Sequence, residues 1–461
     1  MNLNISMCAL TFALCLTLLT TPVIAQESEI EKLKQTVESL LKRIDKLEPQ
    51  LQEQNEVAGK PEDRDAEIEF LRQRIEALEG PEDRYNLDHQ RRLEMLGVEE
   101  AKIQEKEVKP EIEVDIGGAV WINFAYQDWV GDDDGRKDDL RFDNLRLAID
   151  STYGNFLMSA QYRFYSWSRA LHHMWMGYQF NEDNQIKLGV TQVPFGILPF
   201  GSHNFWFMIP YYVGLEDDYD AGIKWRYGFA DDWTLDLAFY LNEEYGDATD
   251  LDRYSVDVVR VGDQQNDERN QINLRLVYDW EHTEKSHTEL GVSGRYGDLD
   301  NRTTKKTGDY WAAAVHADVF LGPWNLMLEG IRYEYNPENP VGVSDDLMLM
   351  GNLGSTRLVA AKADIFVANI AYDFGAVWGP IERLNVYNNW SYMRKDESSF
   401  RNSYINDTGC LVAMGPFWIW IDFILGKNAW YLNDSETNSG FGPGGTDDWE
   451  KRFNVNFEWY F

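Results

Sequence analysis

The stretch Phe453-Asn454-Val455-Asn456-Phe457-Glu458-Trp459-Tyr460-Phe461 puts Phe453, Val455, Phe457, Trp459 and Phe461 on one parity and Asn454, Asn456, Glu458 and Tyr460 on the other. Successive side chains of an extended chain point to opposite faces, whereas a helix would scatter these five apolar residues around its circumference. The segment reads as a strand standing between two unlike solvents. A soluble sandwich can end in such a strand, but it rarely puts aromatic side chains at both the last and the penultimate outward positions.

The same alternation recurs upstream. Ile112, Val114, Ile116, Val120, Ile122, Phe124 and Tyr126 alternate with Glu111, Glu113, Asp115, Ala119, Trp121 and Asn123. Phe156, Met158, Ala160, Tyr162 and Phe164 repeat it, as do Trp233, Leu235, Leu237, Phe239 and Leu241. Roughly ten residues suffice for a tilted strand to cross a bilayer. Short turns such as Tyr153-Gly154-Asn155, Leu321-Gly322-Pro323 and Gly415-Pro416 alternate with long polar segments near 127–139, 193–218, 242–268, 336–364 and 428–449. The fold expected over 111–461 is all-β, a transmembrane antiparallel barrel of about sixteen strands with an aqueous channel. The stretch from Leu347 to Ile365 is ambiguous in that count. The terminal Phe461 resembles the signal read by the barrel assembly machinery of the bacterial outer membrane.

Before the barrel lie two further segments. Residues 1–25 carry an apolar core from Met7 to Leu19 and end at Val23-Ile24-Ala25, the pattern of a cleaved export signal. Cys8 and Cys15 would leave with it, so that Cys410 remains without an intramolecular disulfide partner. In 26–110 the residues Ile30, Leu33, Val37, Leu40, Ile44, Leu47 and Leu51 step by three and four, a heptad seam of about three repeats. This coiled coil implies partner copies of the chain, in a homo-oligomer expected to be a trimer, although β-branched a positions with Leu at d favour two strands. Pro61 to Arg64 and Pro81 to Arg84 repeat the motif Pro-Glu-Asp-Arg around a second helical stretch, either a solvated spacer or a contact to peptidoglycan. A net charge of -35 argues against general nucleic-acid affinity, since phosphates would be repelled. Aromatic content of 14% fits interfacial belts, though glycan-binding β proteins share it.

On the polar parity the basic candidates for the pore wall are Arg146, Arg163, Lys187, Lys224, Arg226, Arg275 and Arg295. They either attract anions or pair with Asp150, Asp220, Asp236, Glu289 and Asp318 to support the wall. The acidic groups Asp132 to Asp134, Asp138, Asp139, Glu216 to Asp218, Glu243 and Glu244 fall in expected external loops, where they read as a solvated rim facing lipopolysaccharide; their spacing is not that of a calcium loop. No metal or cofactor is implied. Segment 193–214 is unlike the other loops, with Pro194, Pro199 and Pro210 among Phe195, Phe200, Phe205, Trp206, Phe207, Tyr211 and Tyr212. So apolar a loop must fold inward as a constriction or sideways onto a neighbour.

The heptads after an export signal, the passage Lys187-Leu188-Gly189-Val190-Thr191-Gln192-Val193-Pro194-Phe195-Gly196 and the terminal Phe461 together resemble the phosphate-selective porin O and P family. The resemblance implies a trimer of sixteen-stranded barrels, each narrowed by its third loop, passing phosphate or other small anions. This chain differs in its acidity and has no run of lysines to form a basic ring. The expected role is passive diffusion of small hydrophilic solutes across the outer membrane, with the coiled coil in the periplasm. The alternatives are a carbohydrate-type porin and an envelope tether for which the barrel is only an anchor. An enzyme is not expected: His172, His173 and His316 fall on strands, in no recognisable nucleophile context.

Overall fold

The computed structural model describes residues 111–130, 137–204, 206–230, 232–432 and 440–461. The export signal 1–25, the coiled coil and spacer 26–110, the acidic positions 132–134 and Phe205 lie outside the described residues.

Alternation is what builds this chain into strands, since each two-residue period puts one row of side chains on either side of a sheet. Among the described residues sixteen strands close into a barrel. In chain order they are β1 (Ile112–Gln127), β2 (Asp138–Tyr153), β3 (Phe156–Tyr165), β4 (Arg169–Asn181), β5 (Asn184–Gln192), β6 (Tyr219–Phe229), β7 (Trp233–Glu243), β9 (Asn266–Thr283), β10 (Ser286–Asn301), β11 (Thr307–Leu321), β12 (Trp324–Asn336), β15 (Lys362–Asp373), β16 (Arg383–Lys395), β17 (Ser403–Met414), β18 (Phe417–Lys427) and β19 (Trp449–Tyr460). A separate sheet joins β8 (Asp257–Val258) to the hairpin β13 (Leu347–Asn352) and β14 (Ser355–Ala360), in connections between barrel strands. The ambiguous stretch from Leu347 to Ile365 thus holds this hairpin followed by the start of β15.

Closure joins the two ends of the barrel chain. β1 and β19 pair from Ala119↔Tyr460 to Gln127↔Arg452, and Phe461 exchanges backbone hydrogen bonds with Gly118 at 2.9 and 3.0 Å. A Cβ at Gly118 would lie 2.2 Å from the Arg146 carbonyl oxygen and 2.8 Å from the Phe461 ring, so only glycine fits the seam.

The outward parity is apolar and exposed. Ile122, Leu147, Met176, Ile223, Ile272 and Val315, on β1, β2, β4, β6, β9 and β11, all face away from the barrel interior and are exposed, and an apolar surface of that extent marks contact with a membrane. Aromatic rings gather at the two rims, with Tyr227, Phe229, Trp233 and Tyr278 in successive contact at the short-turn end and Trp390, Tyr392, Tyr404 and Trp449 at the long-loop end. The belt with its two aromatic girdles is the surface of a barrel that spans a bilayer. Its short turns gather at one end and its long connections at the other.

The inner face is not a simple water-filled wall. Segment 193–218, joining β5 to β6, turns into the barrel and includes the single helical turn α1 (Ile209–Tyr212). Phe207, Met208 and Ile209 have no exposed surface and share one apolar cluster with Tyr240 of β7, Ala312 and Ala314 of β11, Tyr333 of β12, Met393 of β16 and Ile424 of β18. Burying side chains of that size stabilises the inward position by about 1.5–3 kcal/mol each. Alanines on β11 leave the room that the loop fills. Met348, Met350 and Val359 of the accessory hairpin and Leu432 and Phe441 from the last long connection complete the cluster.

Candidate functional site: a barrel interior crossed by the loop 193–218

The inward course of 193–218 follows from its composition. Its prolines limit the backbone, its aromatics avoid water, and few of its peptide groups can be left unpaired once inside. The loop leaves β5 by extending the strand pairing, with Val193 N–H donating to the Asp218 carbonyl at 2.8 Å. Arg275 Nε of β9 then donates to the Gly196 carbonyl at 2.7 Å, and Gly196 N–H donates to Ser293 Oγ of β10 at 3.0 Å. Farther on, Asn369 Nδ2 of β15 donates to the Gly201 carbonyl at 2.6 Å. His203 Nδ1 meets Asn389 Oδ1 of β16 at 2.7 Å and its Nε2 meets Asn325 Oδ1 of β12 at 2.7 Å. Asn204 reaches Asp407 of β17, and Ile209 N–H donates to Ser391 Oγ at 3.2 Å. The return leg is held where Arg295 of β10 donates to the Gly214 carbonyl at 2.9 Å. Anchors on β9, β10, β12, β15, β16 and β17 carry the loop across the interior. Of its expected constriction residues, Phe195, Phe207, Tyr211 and Tyr212 are buried in the apolar cluster, Trp206 packs against it, and Pro194 and Phe200 lie within the inserted segment.

All seven basic candidates stand on the inward parity, in different surroundings. Arg275 is ion-paired with Glu289 at 2.5 Å and Asp236 at 3.8 Å. Arg226 reaches the same Asp236 at 3.1 Å and keeps 37% of its side chain exposed. Arg295 is paired with Asp218 at 3.3 Å and donates to the Tyr335 hydroxyl at 2.7 Å. Arg163 is buried over the Tyr254 ring, 4.4 Å from its centroid. Arg146 stacks on Trp121 at 3.6 Å and Lys187 over Trp175 at 4.0 Å. Lys224 Nζ donates to the Gln192 carbonyl at 3.0 Å. Arg275 and Arg295 therefore brace the inserted loop, whereas Lys187, Lys224 and Arg226 keep surface toward the short-turn end. Of the expected acidic partners, Asp236 and Glu289 hold guanidinium groups; Asp220 instead accepts from Gln271 at 3.0 Å and Asp318 from Asn325 at 2.6 Å.

The expected solvated rim is corrected in part. Glu216, Asp217, Asp218, Glu243 and Glu244 are each at least nine-tenths buried, because the loop that carries the first three turns inward and the connection after β7 packs over it. Arg253, in that connection, pairs with Glu243 at 3.5 Å, Glu244 at 3.9 Å and Asp257 at 3.3 Å. Oxygens of Asp218, Asp220 and Asp257 lie within 4.8 Å of one another. Burial raises Asp218, with Asp257 adding to the rise and Arg295 opposing it. Burial raises Asp217 to about 6 against the pull of Arg163 and a hydrogen bond from the Tyr254 hydroxyl. His203 is lowered by burial, with its hydrogen bonds to Asn389 and Asn325 opposing.

Glu216 is pushed up to about 8, first by burial and then by the charges of Glu329 and Asp217. Its carboxyl accepts from Gly201 N–H at 2.9 Å, at the base of the inserted loop. An acid raised in the folded state binds more protons folded than unfolded. Its stabilising contribution is complete below the ordinary value of 4.5 and is lost as pH climbs through about 8. The heat-shift temperature of the folded barrel on a gel should therefore fall between about pH 5 and about pH 9. Glu216→Gln, which stays neutral, should flatten that slope, and equal slopes in both proteins would remove Glu216 from the account.

Several interior groups escaped the reading of the sequence. Arg452 is fully buried, 4.7 Å from the Tyr431 ring centroid and bonded to Asn454; the parity that put Asn454, Asn456 and Glu458 inside already included it. Arg357, over Trp430 at 4.0 Å, and Arg253 sit in long connections where no periodicity marks them. Ser159 Oγ lies 2.8 Å from His173 Nε2, and His173 Nδ1 lies 2.7 Å from His172 Nδ1. A bulge between β3 and β4 turns both consecutive histidines inward, which strict alternation forbids. The ring of His172 packs between Tyr219 and Tyr254, and Ser159 is 2% exposed. His316 is bound to Glu289 at 3.0 Å.

No protein-family model and no curated protein matches the sequence. Among solved structures, the trimer form of OmpT, an outer membrane protein of Vibrio cholerae, is similar over 76% of this chain and 99% of its own, at 10% identity and a TM-score of 0.49. The outer membrane channel DcaP of Acinetobacter baumannii is similar over 76% of this chain and 97% of its own, at 11% identity and a TM-score of 0.49. An anion-selective porin from Comamonas acidovorans is similar over 76% of this chain and 100% of its own, again at 11% and 0.49.

Proposed function

We propose that this chain is an outer-membrane porin through which small hydrophilic solutes diffuse, with segment 193–218 setting the narrowest passage. The carrying observation is a sixteen-stranded closure whose short-turn half presents partly exposed Lys187, Lys224, Arg226, Asp279, Glu289, Asp318 and Asn325 to the interior. A cylinder of that strand number is wide enough to hold water. The long connections face the exterior and the short turns the periplasm, where 26–110 serves as the coiled coil of a homotrimer after 1–25 has directed export. Conductance across planar bilayers tests the channel itself.

Anion preference, including phosphate, is the finer reading, and it rests on Lys187, Lys224 and Arg226 standing where the wall keeps exposed surface. Changing all three to Glu should shift the reversal potential in a salt gradient toward cations, because fixed charge at a narrow wall sets the local counter-ion population. An unchanged potential would reject that role.

A further inference from the structure

The return leg of the inserted loop meets the connection after β7 at close quarters. A Cβ at Gly214 would lie 2.2 Å from the Val256 carbonyl oxygen, so the two backbones pass with no side chain between them. Farther along, Tyr219 N–H donates to Ser255 Oγ at 2.8 Å, and that hydroxyl donates to the Tyr219 carbonyl at 3.1 Å. Asp218 and Asp220 flank Tyr219 and share one parity, while Asp257 stands two residues beyond Ser255. The double contact through Ser255 thereby gathers carboxylates from the loop, β6 and β8, each with an oxygen within 4.8 Å of the others.

Acids so placed repel one another unless positive charge lies among them. Arg295 reaches Asp218 at 3.3 Å and Arg253 reaches Asp257 at 3.3 Å, but Glu243 and Glu244 share Arg253. Glu268 of β9 adds a further carboxylate, 8% exposed and close enough for its charge to act on Asp257, Asp218 and Asp220. The negative groups thus outnumber the two guanidinium groups. Their oxygens also lack donors. Asp218 Oδ2 meets Arg295 and Asp220 Oδ2 accepts from Gln271 at 3.0 Å, whereas Oδ1 of each is buried with no hydrogen bond among the described residues. Glu268, on a different strand, takes no hydrogen bond or ion pair from the described residues. A buried carboxylate oxygen without a donor carries a large desolvation cost, which a hard cation coordinated by oxygens removes.

We infer that Asp218, Asp220 and Asp257, with Glu268 beside them, form a calcium site that ties the inserted loop and the separate sheet holding β8 to the barrel wall. Two oxygens on one calcium ion, each about 2.3–2.6 Å from it, stand no more than about 5 Å apart, and the observed spacing satisfies that limit. The ligands come from segments far apart in the chain, so the ion acts as a clip between them. The site lies at the long-loop end, which the proposed orientation turns toward the medium, where modules of this kind bind calcium at about 0.1–1 mM. The inference goes beyond solute passage and does not need it.

Equilibrium dialysis of the full chain in detergent against radioactive calcium tests this, after treatment with a chelator and its removal. At about 1 mM free calcium the parent should hold one ion more per chain than the double variant Asp220→Asn with Asp257→Asn. Equal binding by the two proteins would overturn the site. The heat-shift temperature on a gel gives a second reading. Calcium should raise it in the parent, since an ion bound only by the folded state stabilises that state, and leave the double variant where it stands in chelator. A parent that melts alike in calcium and in chelator, or a variant that gains as much as the parent, overturns the inference. If the double variant does not fold, Asp220→Asn alone, which keeps Asp257 beside Arg253, should weaken calcium binding about tenfold; unweakened binding overturns the site. Magnesium demands shorter bonds in a stricter octahedron and should displace the label only at about tenfold higher concentration. Equal displacement would overturn the choice of calcium.

Discussion

Replacing residues 198–212 by a short Gly-Ser linker is expected to raise single-channel conductance several-fold while the barrel still forms. This segment carries Phe207, Met208 and Ile209, none of which has exposed surface, into the space between β7, β11, β12, β16 and β18. The barrel hydrogen bonds lie in the strand ladders and do not involve it, so its removal empties the interior without opening the sheet. A sixteen-stranded wall relieved of its filling approaches the open cylinder that strand number allows. Because an apolar cluster is lost, the milder change Phe207→Ser with Ile209→Ser provides a second reading, expected as brief open events on the parent conductance level. Unchanged conductance in both proteins would mean that ions pass elsewhere or that the loop does not limit them.

The second large effect is expected at Arg275. Its side chain has 2% exposure and is shared by Asp236, Glu289 and the Gly196 carbonyl. Arg275→Met deprives fully buried Asp236 of one of its guanidinium partners and frees one anchor of the inserted loop. Removing one partner of a buried ion pair costs about 3–5 kcal/mol, much of it the penalty of the charge left behind. The heat-shift temperature should drop clearly. Arg275→Lys, which keeps a positive charge beside Asp236 and Glu289, should lose less. If Arg275→Met melts like the parent, Arg275 is not the brace that its contacts describe.

How far the interior was legible from the chain alone differs from element to element. The alternation at Phe453 to Phe461 marks Arg452 as inward as surely as Asn454, and attention to basic residues of the last strand would have found it. His172 and His173 are another matter, because a bulge adds a residue to one strand only and nothing in Leu171-His172-His173-Met174 announces it. The apolar run from Phe195 to Tyr212 shows that the loop must be covered, but it does not say by what. Its anchors on Ser293, Asn325, Asn369, Asn389 and Asp407 lie up to about two hundred positions away in a stretch of unremarkable polar residues. Glu216 and Asp218 read as solvated loop acids for the same reason: their burial depends on Arg295 and on the connection that carries Asp257.

What the chain determines by itself is the outer surface and the closure. A two-residue period is local, so each strand declares which of its rows avoids water, and sixteen such strands have one way to bury their edges. Which inward groups stay wet was decided only by tertiary structure. A lumen side chain meets water or protein according to where a distant loop settles, and the loop settles where alanines on β11 leave room and polar groups on the far wall match its peptide bonds.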